Sequence, residues 1–209
     1  MMQVIQPGRL HLAVLASGRG SNFEALCQAI DRGELNADIK VLISDKQFAP
    51  VLEKARKRNI DAIYINPQDY ESREQYEAQI VKVLKDHLVT VVALAGYMRL
   101  VGKVLLDTYP YRIINIHPAL LPSFPGLHAQ QQALDYGVKV SGCTVHIVDE
   151  GMDTGPIIMQ AAVPVLPDDN SETLADRILV EEHQIYWRSL QLLAEGKVYV
   201  EGRRVIIKN

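Results

Sequence analysis

The sequence predicts an α/β protein in which a mostly parallel sheet carries helices on both faces. Two observations lead there. Short apolar runs rich in β-branched residues alternate with segments of helical period from Leu10 to His117. In addition, Val89–Ala95 carries no charge at all, as a strand buried on both faces requires. Parallel neighbours joined through helices imply right-handed crossovers.

Leu10–Ala16 reads as the first, largely buried strand, and Ser17–Asn22 as a turn. Phe23, Ala25, Leu26, Ala29 and Ile30 then recur at helical spacing until Gly33 closes the helix. Asp38–Ser44 is the second strand, Val51–Arg58 lies in a basic amphipathic helix, and Asp61–Ile65 is the third strand. A helix over Ser72–His87 has its apolar stripe at Tyr76, Ile80, Val83 and Leu84. Val89–Ala95 is the central strand, Val101–Thr108 a short helix, and Tyr111–Ile116 a strand that ends at His117. Pro122, Pro125 and Gly126 make Ala119–Leu127 a rigid loop. A helix over His128–Tyr136 follows, then strands Val140–Val148 and Pro156–Val163 around the acidic, glycine-rich turn Asp149–Gly155. Asn170–Glu195 is a long helix, and Lys197–Val200 with Arg204–Ile207 forms a hairpin about Glu201-Gly202.

No repeat, linker or low-complexity tract interrupts the 209 residues, so the expectation is one domain over 1–209. Met1–Arg9 is a short extension to which the sequence assigns no role. A net charge of −3 gives no global positive field, so nucleic acid is not an expected partner. A small phosphorylated ligand stays open, because backbone N–H groups bind phosphate without net positive charge. Cys27 and Cys143 are too few for a disulfide framework and read as buried small hydrophobes. No signal-peptide core or membrane-length apolar run is present, so the expected location is cytoplasmic, away from membranes. His11, His87, His128, His146 and His183 lack metal-ligand spacing, and no metal is expected.

Asn115-Ile116-His117-Pro118 is the most informative segment. Residues i and i+2 of a strand project to one side, so Asn115 and His117 stand together, and Pro118 ends the strand. An amide donor can hold an oxyanion while an imidazole moves a proton, the pair that acyl or formyl transfer needs. A polar strand end making turn hydrogen bonds has the same composition, and the tetrapeptide alone does not choose. Ser17–Asn22 offers glycines and a helix N-terminus to a phosphate, with Ser21 and Asn22 able to cap the helix. Phe23 replaces the third glycine of a dinucleotide fingerprint and the Walker pair is missing, which favours a terminal monophosphate over NAD or ATP, while a plain tight turn stays open as the alternative.

A carboxylate beside His117 would raise its pKa and keep it protonated; Asp149, Glu150 and Asp153 all compete for that place. Glu182 lies on the inward stripe of the long helix with Leu174, Ile178, Ile185, Tyr186 and Leu193. It either borders a cleft or pairs with a Lys or Arg. Gly96 permits a close turn after the central strand, where Met98, Leu100 and Val101 either line an apolar pocket or pack ordinarily. Arg73 is a solvated helix residue or a partner for a ligand carboxylate.

Together these segments resemble the phosphoribosylglycinamide formyltransferases, members of the folate-dependent formyltransferase family. The matching pieces are Ser17–Asn22, Leu94–Arg99, Asn115–Pro122, Pro125–His128 and Asp153–Pro156, in the family's order from about Leu10 onward. The Asn-x-His-Pro with its downstream Asp belongs to the wider family, whereas the Ser-Gly-x-Gly-Ser-Asn loop and Pro-Gly-Leu-His are more specific. The resemblance implies a Rossmann-like formyltransferase fold and formyl transfer from 10-formyltetrahydrofolate to the amine of 5-phosphoribosylglycinamide, in purine biosynthesis and without a metal. It implies Asn115, His117 and Asp153 as the catalytic trio, and Gly20, Ser21, Asn22 and Glu182 as ribonucleotide contacts. Arg73, Met98, Arg99, Leu100, Val101 and Asn115 fall at folate-binding positions, and Leu121-Pro122 at a cis bond. The protein is expected to be a monomer or homodimer. The rival readings are formyltetrahydrofolate deformylase, methionyl-tRNA formyltransferase and a non-enzymatic binding module. The first needs no phosphate loop, the second a basic face, and the third leaves the trio coincidental.

Overall fold

In a computed structural model that describes residues 1–208, the chain opens on β1 (Met2–Gln3), β2 (Leu10–Leu15), α1 (Ser21–Asp31), β3 (Ala37–Ser44), α2 (Pro50–Lys57) and β4 (Asp61–Tyr64). It continues through α3 (Arg73–Asp86), β5 (Val91–Leu94), α4 (Lys103–Thr108), β6 (Ile113–His117) and α5 (Ala129–Tyr136). The last elements are β7 (Val140–Ile147), β8 (Ile157–Pro164), α6 (Ser171–Ala194), β9 (Val198–Glu201) and β10 (Arg204–Ile207). Asn209, included in the single-domain expectation, lies outside the described residues.

The main sheet has the order β4-β3-β2-β5-β6-β7-β8. Its first five strands are parallel, and β7 and β8 join antiparallel. The fold is therefore α/β with a mostly parallel sheet, and β5 is its fully buried middle strand as the uncharged run required. Strand alternation divides the interior into two layers. Leu12 and Val14 pack with Phe23, Leu26, Leu174 and Ile178 on the α1/α6 side. Ala13 and Leu15 face the other way, onto Ile80, Leu84 and Leu105 of α3 and α4. From β2 the chain steps outward through β3 and β4, then returns to place β5 on β2's other flank. The carboxyl ends of β2 and β5 thus diverge at a topological switch point, where open α/β sheets leave a crevice.

Several boundaries differ from the sequence reading, each for a local reason. α1 begins at Ser21, not Phe23; Gly20, at φ +77°, precedes it, and neither Ser21 nor Asn22 caps the helix. A Cβ on Gly20 would clash with the Val51 side chain, so both conformation and packing demand glycine there. β6 starts at Ile113 because Tyr111 adopts a left-handed backbone, φ +60°. α4 starts at Lys103 because the buried Glu77 carboxylate accepts the N–H groups of Gly102 and Leu105 and caps it from outside. The expected hairpin is a three-stranded sheet: Met2 pairs with Val200 and Gln3 with Tyr199. The N-terminal extension thereby gains a structural place, with Val4 buried and Gln3 Nε2 donating to Gly196 O at 2.8 Å. The Leu121-Pro122 bond is cis.

α6 is fixed at its start and again partway along its buried stripe. Asn170 and Thr173 form a capping box at its start. One turn beyond Glu182, the Tyr186 hydroxyl lies 2.9 Å from Leu94 O and 3.1 Å from Ile114 O, bridging carbonyls of β5 and β6. Tyr186→Phe should cost about 0.5–1.5 kcal/mol, the net worth of a buried hydrogen bond, as read by urea denaturation. A variant as stable as wild type would show that this bond does not anchor the helix.

Candidate active site

A cleft of about 730 Å³ opens at the switch point, lined by loops after β2, β5 and β6 and by one face of α6. Asn115 and His117 stand on one side of β6, as strand parity requires, while Ile114 and Ile116 join the core on the other. The antiparallel register sets His146 opposite Asn115 and Thr144 opposite His117. The Asp149–Gly155 segment then folds back so that Asp153 Oδ2 comes within 3.4 Å of His117 Nδ1 and Oδ1 within 3.6 Å of His146 Nε2.

The geometry distinguishes the three competing acids. Asp149 Oδ1 accepts from Gly151 N and from Thr154 Oγ1 at 2.6 Å, which commits it to shaping the turn. Glu150 is exposed. Asp153 alone turns inward, in a left-handed conformation (φ +54°), and its Oδ2 accepts the Gly126 N–H at 2.8 Å. Aspartate is among the few residues that tolerate that backbone, and such conformations concentrate at functional sites.

His117 is held at both nitrogens. Its Nε2 donates to Phe124 O at 2.9 Å, which leaves Nδ1 facing the Asp153 carboxylate. The expectation of a raised pKa needs correction. Burial pulls the imidazole below the ordinary histidine value, and the Phe124 carbonyl and Asp153 only partly offset it. Burial likewise works against the Asp153 carboxylate, but contacts from His146 and the Gly126 N–H, with the neighbouring imidazoles, hold its pKa below the usual range. Asn115 Nδ2 lies 3.1 Å from His146 Nε2, and His146 Nδ1 lies 3.1 Å from Ile147 O. Sequence reasoning passed over His146 because its place beside Asn115 depends on cross-strand register, which spacing along one strand does not reveal.

At the other end of the cleft, Gly20, Ser21 and Asn22 form the first turn of α1, where the backbone N–H groups lack helical partners. Glu182 reaches this end from α6. No Lys or Arg pairs with it among the described residues; Asn22 Nδ2 donates to its Oε2 at 2.7 Å instead. At 8% exposure, burial raises the carboxyl pKa, and the Asn22 bond only partly lowers it again. Asn22 Oδ1 is buried without a protein partner. The side chain of Asn22 therefore orients Glu182, a use the sequence reading did not assign to it.

Met98, Arg99, Leu100 and Val101 line the middle of the cleft, Met98 and Leu100 with exposed apolar side chains. The Arg99 guanidinium lies over the Tyr76 ring. Arg73 is not part of the lining. Its Nε pairs with Glu77 at 3.1 Å and its Nη2 donates to Leu100 O, bracing the loop from behind. Both cysteines are buried, and among the described residues no cluster of His, Cys, Asp or Glu is placed to hold a metal. No described helix is long and apolar enough to cross a membrane.

A parallel sheet split at a switch point, with an amide, an imidazole and a carboxylate gathered in its crevice, defines a group-transfer enzyme of the α/β class. The formyl transferase family matches residues 10–190, and the chain belongs to it. It is 48% identical over 174 residues to phosphoribosylglycinamide formyltransferase of Bacillus subtilis, covering 83% of this chain and 89% of that protein. The trifunctional purine biosynthetic protein adenosine-3 of Drosophila pseudoobscura pseudoobscura is 47% identical over 196 residues, where this chain spans 14% of the relative's length. In structure, glycinamide ribonucleotide transformylase 1 from Symbiobacterium toebii superposes with a TM-score of 0.96 at 49% identity, over 98% of this chain and 96% of that one. A formyltetrahydrofolate deformylase from Pseudomonas syringae is similar in fold (TM-score 0.88) but 29% identical, and 67% of it is covered.

The depressed pKa of His117 has a measurable sign. As pH falls through about 6.5, unfolded histidine takes up a proton that the buried ring resists. The unfolded state then binds more protons, so stability is present above that pH and declines below it. His183, also lowered by burial, adds to the effect. Denaturation midpoints should drop between pH 7.5 and 5.5, and His117→Gln should flatten that drop. An identical slope in the variant would exclude His117 as a source.

Proposed function

We propose that this chain transfers the formyl group of 10-formyltetrahydrofolate to the amine of 5-phosphoribosylglycinamide, releasing the N-formyl product and tetrahydrofolate. The observation that carries the reading is the convergence of Asp153 on His117 in a cleft whose far end holds an anion-binding helix start and an uncompensated carboxylate. The Bacillus subtilis relative, matched over most of both chains, is named for formyl transfer to phosphoribosylglycinamide, which supports the acceptor and the reaction type.

Each end of the cleft has a distinct task. Backbone N–H groups at Gly20, Ser21 and Asn22, aided by the helix dipole, hold the ribonucleotide phosphate. Glu182, oriented by Asn22, accepts hydrogen bonds from the glycinamide end and aims its amine at the formyl carbon. The apolar wall Met98–Val101 takes the flat heterocycle of the folate, and Arg99 reaches toward its polar edge. Arg73, braced against Leu100 and Glu77, supports this wall from outside the lining, and its exposed edge meets the folate's carboxylate tail where the tail leaves the cleft.

Chemistry occurs between these ends. The neutral amine attacks the formyl carbon, forming a C–N bond and a tetrahedral oxyanion. The Asn115 carboxamide and the protonated His117 Nδ1 stabilise that oxyanion, and Asp153 stabilises the imidazolium against the cost of burial. Collapse breaks the bond to folate N10, which receives the proton given up by the amine through Asp153 and His117. Orienting both substrates in one cleft supplies much of the rate by proximity.

His117→Ala and Asp153→Asn should each lower kcat by about 10²–10⁴, the range for a general acid–base group, while each variant remains folded by circular dichroism at neutral pH. Near-wild-type turnover by either variant would sink the assignment. Glu182→Gln should raise KM for the ribonucleotide several-fold more than KM for the folate, in steady-state kinetics with each substrate varied in turn. The central test follows tetrahydrofolate release from 10-formyltetrahydrofolate with and without the ribonucleotide. Release that depends on the ribonucleotide is the expected result, and equal release without it would identify a deformylase.

A further inference from the structure

The two substrate-binding loops leave different strands, and one side chain joins them. Ser17 lies two residues past the end of β2 and opens the Gly18–Asn22 loop; Met98 belongs to the loop after β5. The Ser17 hydroxyl accepts the Met98 N–H at 2.9 Å and donates to Asp45 Oδ1 at 2.5 Å. Asp45 follows β3 and is 5% exposed. Neither partner leaves the hydroxyl a choice. An N–H can only donate and a carboxylate can only accept, so the Ser17 proton must point to Asp45 and its lone pair to Met98. Asp45 has no ion-pair partner among the described residues, and Ser17 is the side chain that meets its carboxylate. A backbone bond, Ser17 N to Gly96 O at 3.0 Å, holds the same strands together independently of the hydroxyl. The hydroxyl relay is therefore not what keeps β2 beside β5.

We propose that Ser17, with its hydroxyl locked by Asp45, is a positioning residue that holds the ribonucleotide loop and the folate loop in one mutual geometry. The inference rests on the substrate assignment of the two loops made above. It assigns to Ser17 no contact with either substrate. Its hydroxyl acts through Met98 N, which orients the wall Met98–Val101, and through its own backbone, which starts the turn leading to Gly20.

The test is calorimetric titration of 5-phosphoribosylglycinamide and of tetrahydrofolate, each alone and each in the presence of the other, so that no turnover intervenes. Ser17→Ala should weaken both ligands by about three- to tenfold, the equivalent of one lost intramolecular hydrogen bond. Ser17→Thr, which restores the hydroxyl, should return both to within about twofold of wild type by the same reckoning. Asp45→Asn frees the hydroxyl rotor without emptying its place and should weaken both ligands in the same direction, so it carries the test should Ser17→Ala not fold. A change confined to one ligand, or a fall in melting temperature with both constants intact, overturns the shared role. Wild-type protein that binds neither ligand overturns the substrate reading and this inference with it. Wild type binding both while the variants bind as tightly overturns this inference alone.

Discussion

Backbone hydrogen bonds between β6 and β7 place His146 opposite Asn115 and Thr144 opposite His117, and the chemistry of the cleft depends on that register. A slip of one residue would exchange Asn115 and His117 for Ile114 and Ile116, turning the polar pair into the core and two isoleucines into the cleft. Burial of Ile114 and Ile116 therefore protects the site as much as it stabilises the sheet. Thr144 adds a second fix from the same strand. Its hydroxyl donates to Ala119 O at 2.6 Å and accepts from Leu121 N at 3.0 Å, holding the loop that carries Phe124 and Gly126. Phe124 O then orients His117, and Gly126 N orients Asp153.

Desolvation gives these polar groups their character. His117 is buried, so its proton is held weakly, and the Asp153 carboxylate 3.4 Å away offsets only part of that loss. Glu182 shows the opposite sign of the same effect. Burial raises its pKa, and its partner is an amide in place of a cation. The two ends of the cleft use one physical device, removal from water, on a base and on an acid.

Much of the architecture was legible along the chain. The alternation of apolar runs and helical stripes located every element of the main sheet, since a strand or helix buries its apolar face wherever the sequence provides one. β1 escaped because two residues have no period, and its pairing with β9 joins opposite ends of the chain. The starts of α1 and α4 shifted because their caps are a left-handed glycine and a carboxylate from another helix, neither of which is a local side-chain signal. In the cleft, strand parity was enough to set Asn115 beside His117, and the inward stripe of α6 was enough to turn Glu182 toward the sheet.

Residue types and their order thus determined by themselves the fold class, the paired amide and imidazole, and the glycine turn at the start of α1. These depend on periodicity and on backbone sterics, which act over a few residues. The resemblance already pointed to Asp153, and tertiary structure supplied its contact with His117; tertiary structure alone decided that His146 joins Asn115, that Asn22 serves Glu182, and that Arg73 braces the wall from outside. Those contacts span up to 160 residues of chain between Asn22 and Glu182. They exist because sheet register and helix docking converge on one crevice, a geometric condition that no local pattern encodes.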